Sequence, residues 1–143
     1  MSFSNLNSPS AFLRVCVDQS DNGRISGTVY SQRLTRPMAF SDMGNLILRL
    51  DEVLEKQNFP QAFQRSRTFR EHEAHVPAAG DPDEGIPLEE VEKARGSLAT
   101  FTLCILSRRN ASWQGWVDWM DGSPRQQFAS ALELIRLAEE RFL

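Results

Sequence analysis

The sequence predicts an α+β fold. It is a single domain over residues 1–143, built from two pseudo-symmetric β-β-β-α repeats whose antiparallel sheet carries its helices on one face. Three observations predict it. First, residues 12–54 and 100–142 align without a gap at a constant offset of 88, placing Cys16 on Cys104, Asn22 on Asn110, Gly27 on Gly115 and Val29 on Val117. Phe40 falls on Phe128, Leu46-Ile47 on Leu134-Ile135 and Glu52 on Glu140. Second, each half opens with apolar residues alternating at the period of a strand. Third, each half closes on apolar residues at helical spacing. A sheet with one apolar face needs a cover, and each repeat supplies one amphipathic helix. Six strands in one sheet is the natural solution, and two separate three-stranded lobes is the alternative.

The first repeat spans 12–57. Leu13, Val15 and Val17 share one face of its first strand. Asn22-Gly23 tolerates the positive φ angles of a tight hairpin turn. The next strand puts Ile25, Gly27 and Val29 on one face and Ser26, Thr28 and Tyr30 on the other. A short third strand is expected over Arg36 to Phe40. Met43, Leu46, Ile47, Leu50, Val53 and Leu54 then mark a helix over 42–57, capped by Ser41 or Asp42.

Residues 58–97 form a connector with Pro60, Pro77, Pro82, Pro87, Gly80 and Gly85, and more acidic than basic side chains. A mobile loop is expected near 75–85, an edge strand over Ala62 to Phe69, and a short helix over Pro87 to Arg95 with proline at its start and Gly96 past its end.

The second repeat spans 98–143. Phe101, Leu103 and Ile105 supply the buried face of its first strand, and Arg109-Asn110-Ala111 the turn. Over Ser112 to Met120, Trp113, Gly115, Val117 and Trp119 share one face, and Gln114, Trp116 and Asp118 the other. Asp121-Gly122-Ser123-Pro124 is a turn signal leading to a third strand, Arg125 to Phe128. Ser130 and Glu133 form a capping box. Leu134, Ile135, Ala138 and Phe142, with Leu137 beside them, give the last helix its apolar stripe.

Residues 101–137 resemble a pattern found in a family of small bacterial proteins. The resemblance rests on an apolar strand, then Asn110-Ala111-Ser112-Trp113-Gln114-Gly115-Trp116-Val117-Asp118-Trp119, then Phe128-Ala129-Ser130-Ala131-Leu132-Glu133-Leu134-Ile135. Ala129 stands where that pattern commonly has arginine. The resemblance covers about a quarter of the chain. It implies a shared fold and no established activity.

Composition narrows the function classes. With 41% hydrophobic and 24% charged residues the chain reads as globular, and its net charge of −3 argues against a dedicated nucleic-acid binder. The apolar run Leu103 to Leu106 is too short for a membrane span, the N-terminus lacks a secretory pattern, and a cytoplasmic location follows as the default. Cys16 and Cys104 do not make a disulfide framework and read as reduced strand residues, although a pseudo-twofold axis would relate them. No G-x-S-x-G, G-x-G-x-x-G or P-loop pattern occurs. No catalytic residue and no cofactor are assigned, and an enzyme is the weaker hypothesis. His72 and His75 are the weak candidates for a metal, but they sit three apart where a zinc-protease helix needs four.

The candidate binding surface is the sheet face carrying Trp116 and Gln114, with Tyr30 on the equivalent face and Arg108 and Arg109 at the hairpin tip. The leading expectation is a non-enzymatic binding or regulatory module that contacts a protein partner or self-associates as a dimer. The runner-up is RNA or single-stranded nucleic-acid binding, with bases stacked on Trp116.

Overall fold

Alternation is what the backbone obeys. The computed structural model describes residues 5–6, 8–60, 76–108 and 112–142. Its strands are β1 (Leu13–Asp21), β2 (Arg24–Tyr30), β3 (Met38–Phe40), β4 (Ala99–Ser107), β5 (Gln114–Asp118) and β6 (Gln126–Phe128). Its helices are α1 (Met43–Gln57), α2 (Leu88–Lys93) and α3 (Ala131–Phe142). All six strands join one antiparallel sheet in the order β3-β2-β1-β4-β5-β6, which excludes two separate lobes.

The pairing registers are informative. At the centre Arg14 faces Thr102, with Leu13 opposite Leu103 and Val15 opposite Phe101. Cys16 faces Thr28 in the first half, and Cys104 faces Trp116 in the second. Gly27 faces Phe40, and Gly115 faces Phe128. Each long strand is bulged, β1 between Val17 and Gln19 and β4 between Ile105 and Ser107. The glycines answer to this geometry. A Cβ on Gly27 would stand 1.8 Å from the Cys16 carbonyl oxygen, and one on Gly115 would stand 1.9 Å from that of Cys104.

Odd-numbered residues of β1 and β4 face the main core. Leu13, Val15, Val17, Phe101, Leu103 and Ile105 bury against Leu46, Leu50, Val53 and Leu54 of α1 and against Leu134 and Ala138 of α3. Asn22 (φ 54°) and Gly23 (φ 80°) make the predicted hairpin turn, closing the Asp21–Arg24 pair. Asp42, not Ser41, caps α1 by accepting from the Asn45 amide at 2.7 Å. At α3, Ser130 accepts from the Glu133 amide at 3.0 Å, while Glu133 reaches one residue beyond the predicted box to the Ala129 amide at 2.6 Å.

Strands β3 and β6 are each three residues, shorter than expected, and short edges resist unwanted pairing. The opposite sheet face is not bare. There Arg14 donates to Thr102 at 3.1 Å and to the Val91 and Glu92 carbonyls of α2 at 3.4 and 3.2 Å. Within the loop expected near 75–85, the described residues make main-chain bonds to the turn after β2, with Ala78 bridging Leu34. The expected edge strand over 62–69 and the 109–111 turn lie outside the described residues.

Candidate functional site

The aromatic platform expected on the second sheet face is occupied by the chain itself. Trp116 is 9% exposed. The Phe12 ring meets it edge-on at 5.2 Å, and the Arg125 guanidinium lies over its face at 3.7 Å. A base has no indole face to stack on, which removes the geometric premise of the nucleic-acid reading. Gln114 and Tyr30 are half-buried, and Tyr30 packs against the core.

Arg108 corrects the expectation of a hairpin-tip charge more sharply, being 4% exposed. It donates from Nε to the Pro60 carbonyl at 2.7 Å, from Nη1 to Glu55 at 3.1 Å and from Nη2 to the Asn58 side chain at 3.4 Å. Arg33 is also fully buried, donating to the Gln57 side chain at 2.8 Å and to the Phe59 carbonyl, with its guanidinium over the Phe59 ring. Two cations thus close on the C-terminus of α1, where unpaired carbonyls carry partial negative charge. Their role is structural. Arg109, His72 and His75 lie outside the described residues. Among those described, no cluster of three or more metal-ligating side chains occurs.

Cys16 and Cys104 are both buried, and burial pushes each thiol up to about 11. They stand on opposite sides of the central Arg14–Thr102 pair. Cys16 faces Thr100, four residues from Cys104, or about 13 Å along the strand, so the two thiols do not meet. A thiol so far above neutrality is a poor nucleophile.

Among the described residues an accessible concavity lies elsewhere. A groove of about 480 Å³ is lined by Arg95, Leu98, Ala99, Thr100, Trp119, Met120, Asp121, Arg141 and Phe142. Its floor is aromatic. Phe101, Trp119 and Phe142 pack together, with Trp119 to Phe101 at 5.0 Å and to Phe142 at 5.9 Å. Arg141 lies over Trp119 at 5.1 Å, pairs with Asp121 and donates to Ser123 at 3.0 Å.

Its rim is apolar and rigidly presented. Leu98 is 59% exposed although its amide is bonded to the Val17 carbonyl at 2.9 Å. Neighbouring Ser97 is held through its amide by Asp18, and Gly96 is packed so closely on Val17 that a Cβ would collide. Met120, 37% exposed, has φ of 59°, a left-handed conformation that costs a non-glycine residue about 1–2 kcal/mol. Asp118 bonds its amide at 2.9 Å, and Thr102 donates to its sulfur at 3.4 Å. Sequence reasoning missed this site because its parts come from the connector's end, a turn and a helix terminus. The one signal was Asp121-Gly122-Ser123-Pro124, read only as a turn.

No family model matches the chain, and no curated protein or solved structure matches it either, so its functional reading rests on its own geometry. Among the described residues, no helix is long and apolar enough to cross a membrane.

Proposed function

We propose that the chain is a non-enzymatic binding module that docks a protein partner in the Trp119–Phe142 groove. We propose also that it consists of two copies of one β-β-β-α unit, related by a pseudo-twofold axis through the Arg14–Thr102 pair. The registers support the second point, since the pairs Cys16–Thr28 and Cys104–Trp116 recur at the sequence offset, as do both bulges and both glycine–phenylalanine pairs. One observation carries the docking reading. Leu98 and Met120 are exposed, backbone-fixed apolar residues above an aromatic floor, with Arg95 and Arg141 at the sides. Fixed apolar anchors in a concavity with flanking charge are the composition of a binding hot spot.

The test is a photo-crosslinking amino acid placed at position 98 in living cells, with the same group at position 48 as control. Leu48 is 67% exposed on α1, away from the groove. A discrete adduct is expected at 98 and not at 48. An adduct at twice the chain mass identifies the partner as a second copy. Equal labelling at both positions overturns the docking reading.

A further inference from the structure

We propose that the occupant of the groove is a peptide segment of a partner protein, carrying an aliphatic residue beside carboxylates. Its apolar anchors would sit as those of the connector sit in the first half of this chain. The inference rests on the docking reading above and specifies its ligand.

The groove has a counterpart in the first half of the chain. At the offset of 88, Trp119, Met120 and Asp121 correspond to Ser31, Gln32 and Arg33, and Arg141 and Phe142 to Val53 and Leu54. That first corner is sealed by residues 76–86. The Thr35 amide donates to the Pro77 carbonyl at 2.7 Å, the Ala79 amide to Arg33 at 2.9 Å and the Ile86 amide to Leu34 at 2.8 Å. Gln57 donates to the Arg33 and Ala79 carbonyls, each at 2.9 Å. Gly85 approaches so closely that a Cβ would stand 1.8 Å from the Gln32 carbonyl oxygen. Val76 and Ile86 bury beside Leu34. The seat therefore takes a segment that touches through an isolated bridge at Ala78, turns over Pro82–Glu84 and is held by apolar anchors at its two ends. It tolerates acidic neighbours, since Asp81, Asp83 and Glu84 fall within this segment and no basic residue does.

The second corner presents the counterpart positions Met120 and Asp121 with charge added, while the Ser123 amide, counterpart of that of Thr35, is taken by the Asp121 side chain at 3.0 Å. Anchors from a partner would cover Leu98 and Met120, while carboxylates would meet guanidinium groups. Arg95 bonds its own Glu92 and Ala94 carbonyls through Nη1, each at 2.7 Å, and Arg141 reaches Asp121 and Ser123 through Nη2. Among the described residues, the remaining guanidinium nitrogens of both make no hydrogen bond. Of the charged side chains that line the groove two are cationic and one, Asp121, is anionic, while Asp118 and Asp18 are engaged by the Met120 and Ser97 amides of the rim. Arg14 stands close behind, its guanidinium pushed down from its usual value by burial and then by Arg95, a repulsion that a bound carboxylate relieves.

The probe is a fluorescein-labelled peptide with the sequence of residues 76–87, added to the intact protein and followed by anisotropy. Saturable binding is expected, weakened at least about tenfold by Leu98→Asp and falling with added salt. A peptide with its three acids replaced by amides should bind several-fold more weakly. Leu98 is largely exposed, so the Leu98→Asp variant keeps its fold, which circular dichroism checks. Absence of saturable binding, or binding unchanged by Leu98→Asp, overturns the proposal. If position 98 crosslinks a partner while the peptide fails to bind, the occupant assigned here is wrong and the docking reading stands. If both fail, both fall.

Discussion

Arg108 shows how a charge becomes a structural part. Its guanidinium replaces water with the Pro60 carbonyl, the Asn58 side chain and Glu55. Truncation removes the donor that the three share where α1 ends. Removing one partner of a fully buried pair costs about 3–5 kcal/mol, but Glu55 keeps access to water, so Arg108→Ala should cost about 2 kcal/mol. In a chain of this length that lowers Tm by about 4–8 °C, readable by calorimetry. The two cysteines make a second prediction at the same scale. Burial raises their thiols from 9.0 to about 11 in the folded protein. Between those values the unfolded chain loses the protons that the folded chain keeps, so stability falls as pH rises through this window. The loss by pH 11 is on the order of 2 kcal/mol per thiol. Urea unfolding of the wild type should show this slope, and the double variant Cys16→Ala, Cys104→Ala should lose it, the difference cancelling groups common to both. Equal slopes would mean the thiols do not titrate as burial requires.

At the scale of elements, the hairpins are fixed by a close approach that only glycine allows. Gly27 and Gly115 each sit against a carbonyl of the neighbouring long strand, beside its bulge. The obstructing atoms are backbone, so no rotamer change relieves the clash. Gly27→Ala and Gly115→Ala should each destabilise by at least about 3 kcal/mol, measured by denaturant unfolding. A cost below 1 kcal/mol would show that the strands separate easily. This level of structure was legible in the chain, because the two glycines fall on one another in the alignment and Asn22-Gly23 announces its turn. Helices α1 and α3 were legible from periodicity, α2 from its flanking Pro87 and Gly96, and Trp113 and Trp119 were correctly placed on the core face. The fate of the second face was not. Arg108 read as a hairpin-tip charge and Arg33 drew no reading, because sequence does not reveal which carbonyls a fold leaves for a buried cation. Trp116 read as a platform because Phe12 and Arg125, which cover it, are remote in sequence. The bonds of the loop near 75–85 to the turn after β2 were not legible, because they run largely through the main chain and leave no side-chain pattern.

Across the whole molecule, two corners of like topology meet different ends. One is filled by residues 76–86; the other is the open groove, with Met120 on its rim in a conformation its side chain disfavours. Its counterpart Gln32 shows no positive φ, so the strain belongs to the open corner alone. Strain of this kind persists where a surrounding structure imposes it, and here the Asp118 side chain fixes the Met120 amide while the Arg141–Asp121 pair fixes the turn beyond. Met120→Gly removes about 1–2 kcal/mol of left-handed strain and gives up a partly buried side chain worth about 1–2 kcal/mol. The two effects offset, so stability should change by less than about 1 kcal/mol. A methionine that serves only packing predicts a larger net loss, because deleting a buried methionine side chain costs about 2–5 kcal/mol. Binding should part company with stability, since the variant deletes a rim anchor and frees the turn that presents it. The expected pattern is an unchanged Tm with affinity for the 76–87 peptide reduced about tenfold, read by calorimetry and anisotropy on the same preparation. A fall in Tm with affinity intact would make Met120 a packing residue and leave Leu98 as the groove's only exposed anchor.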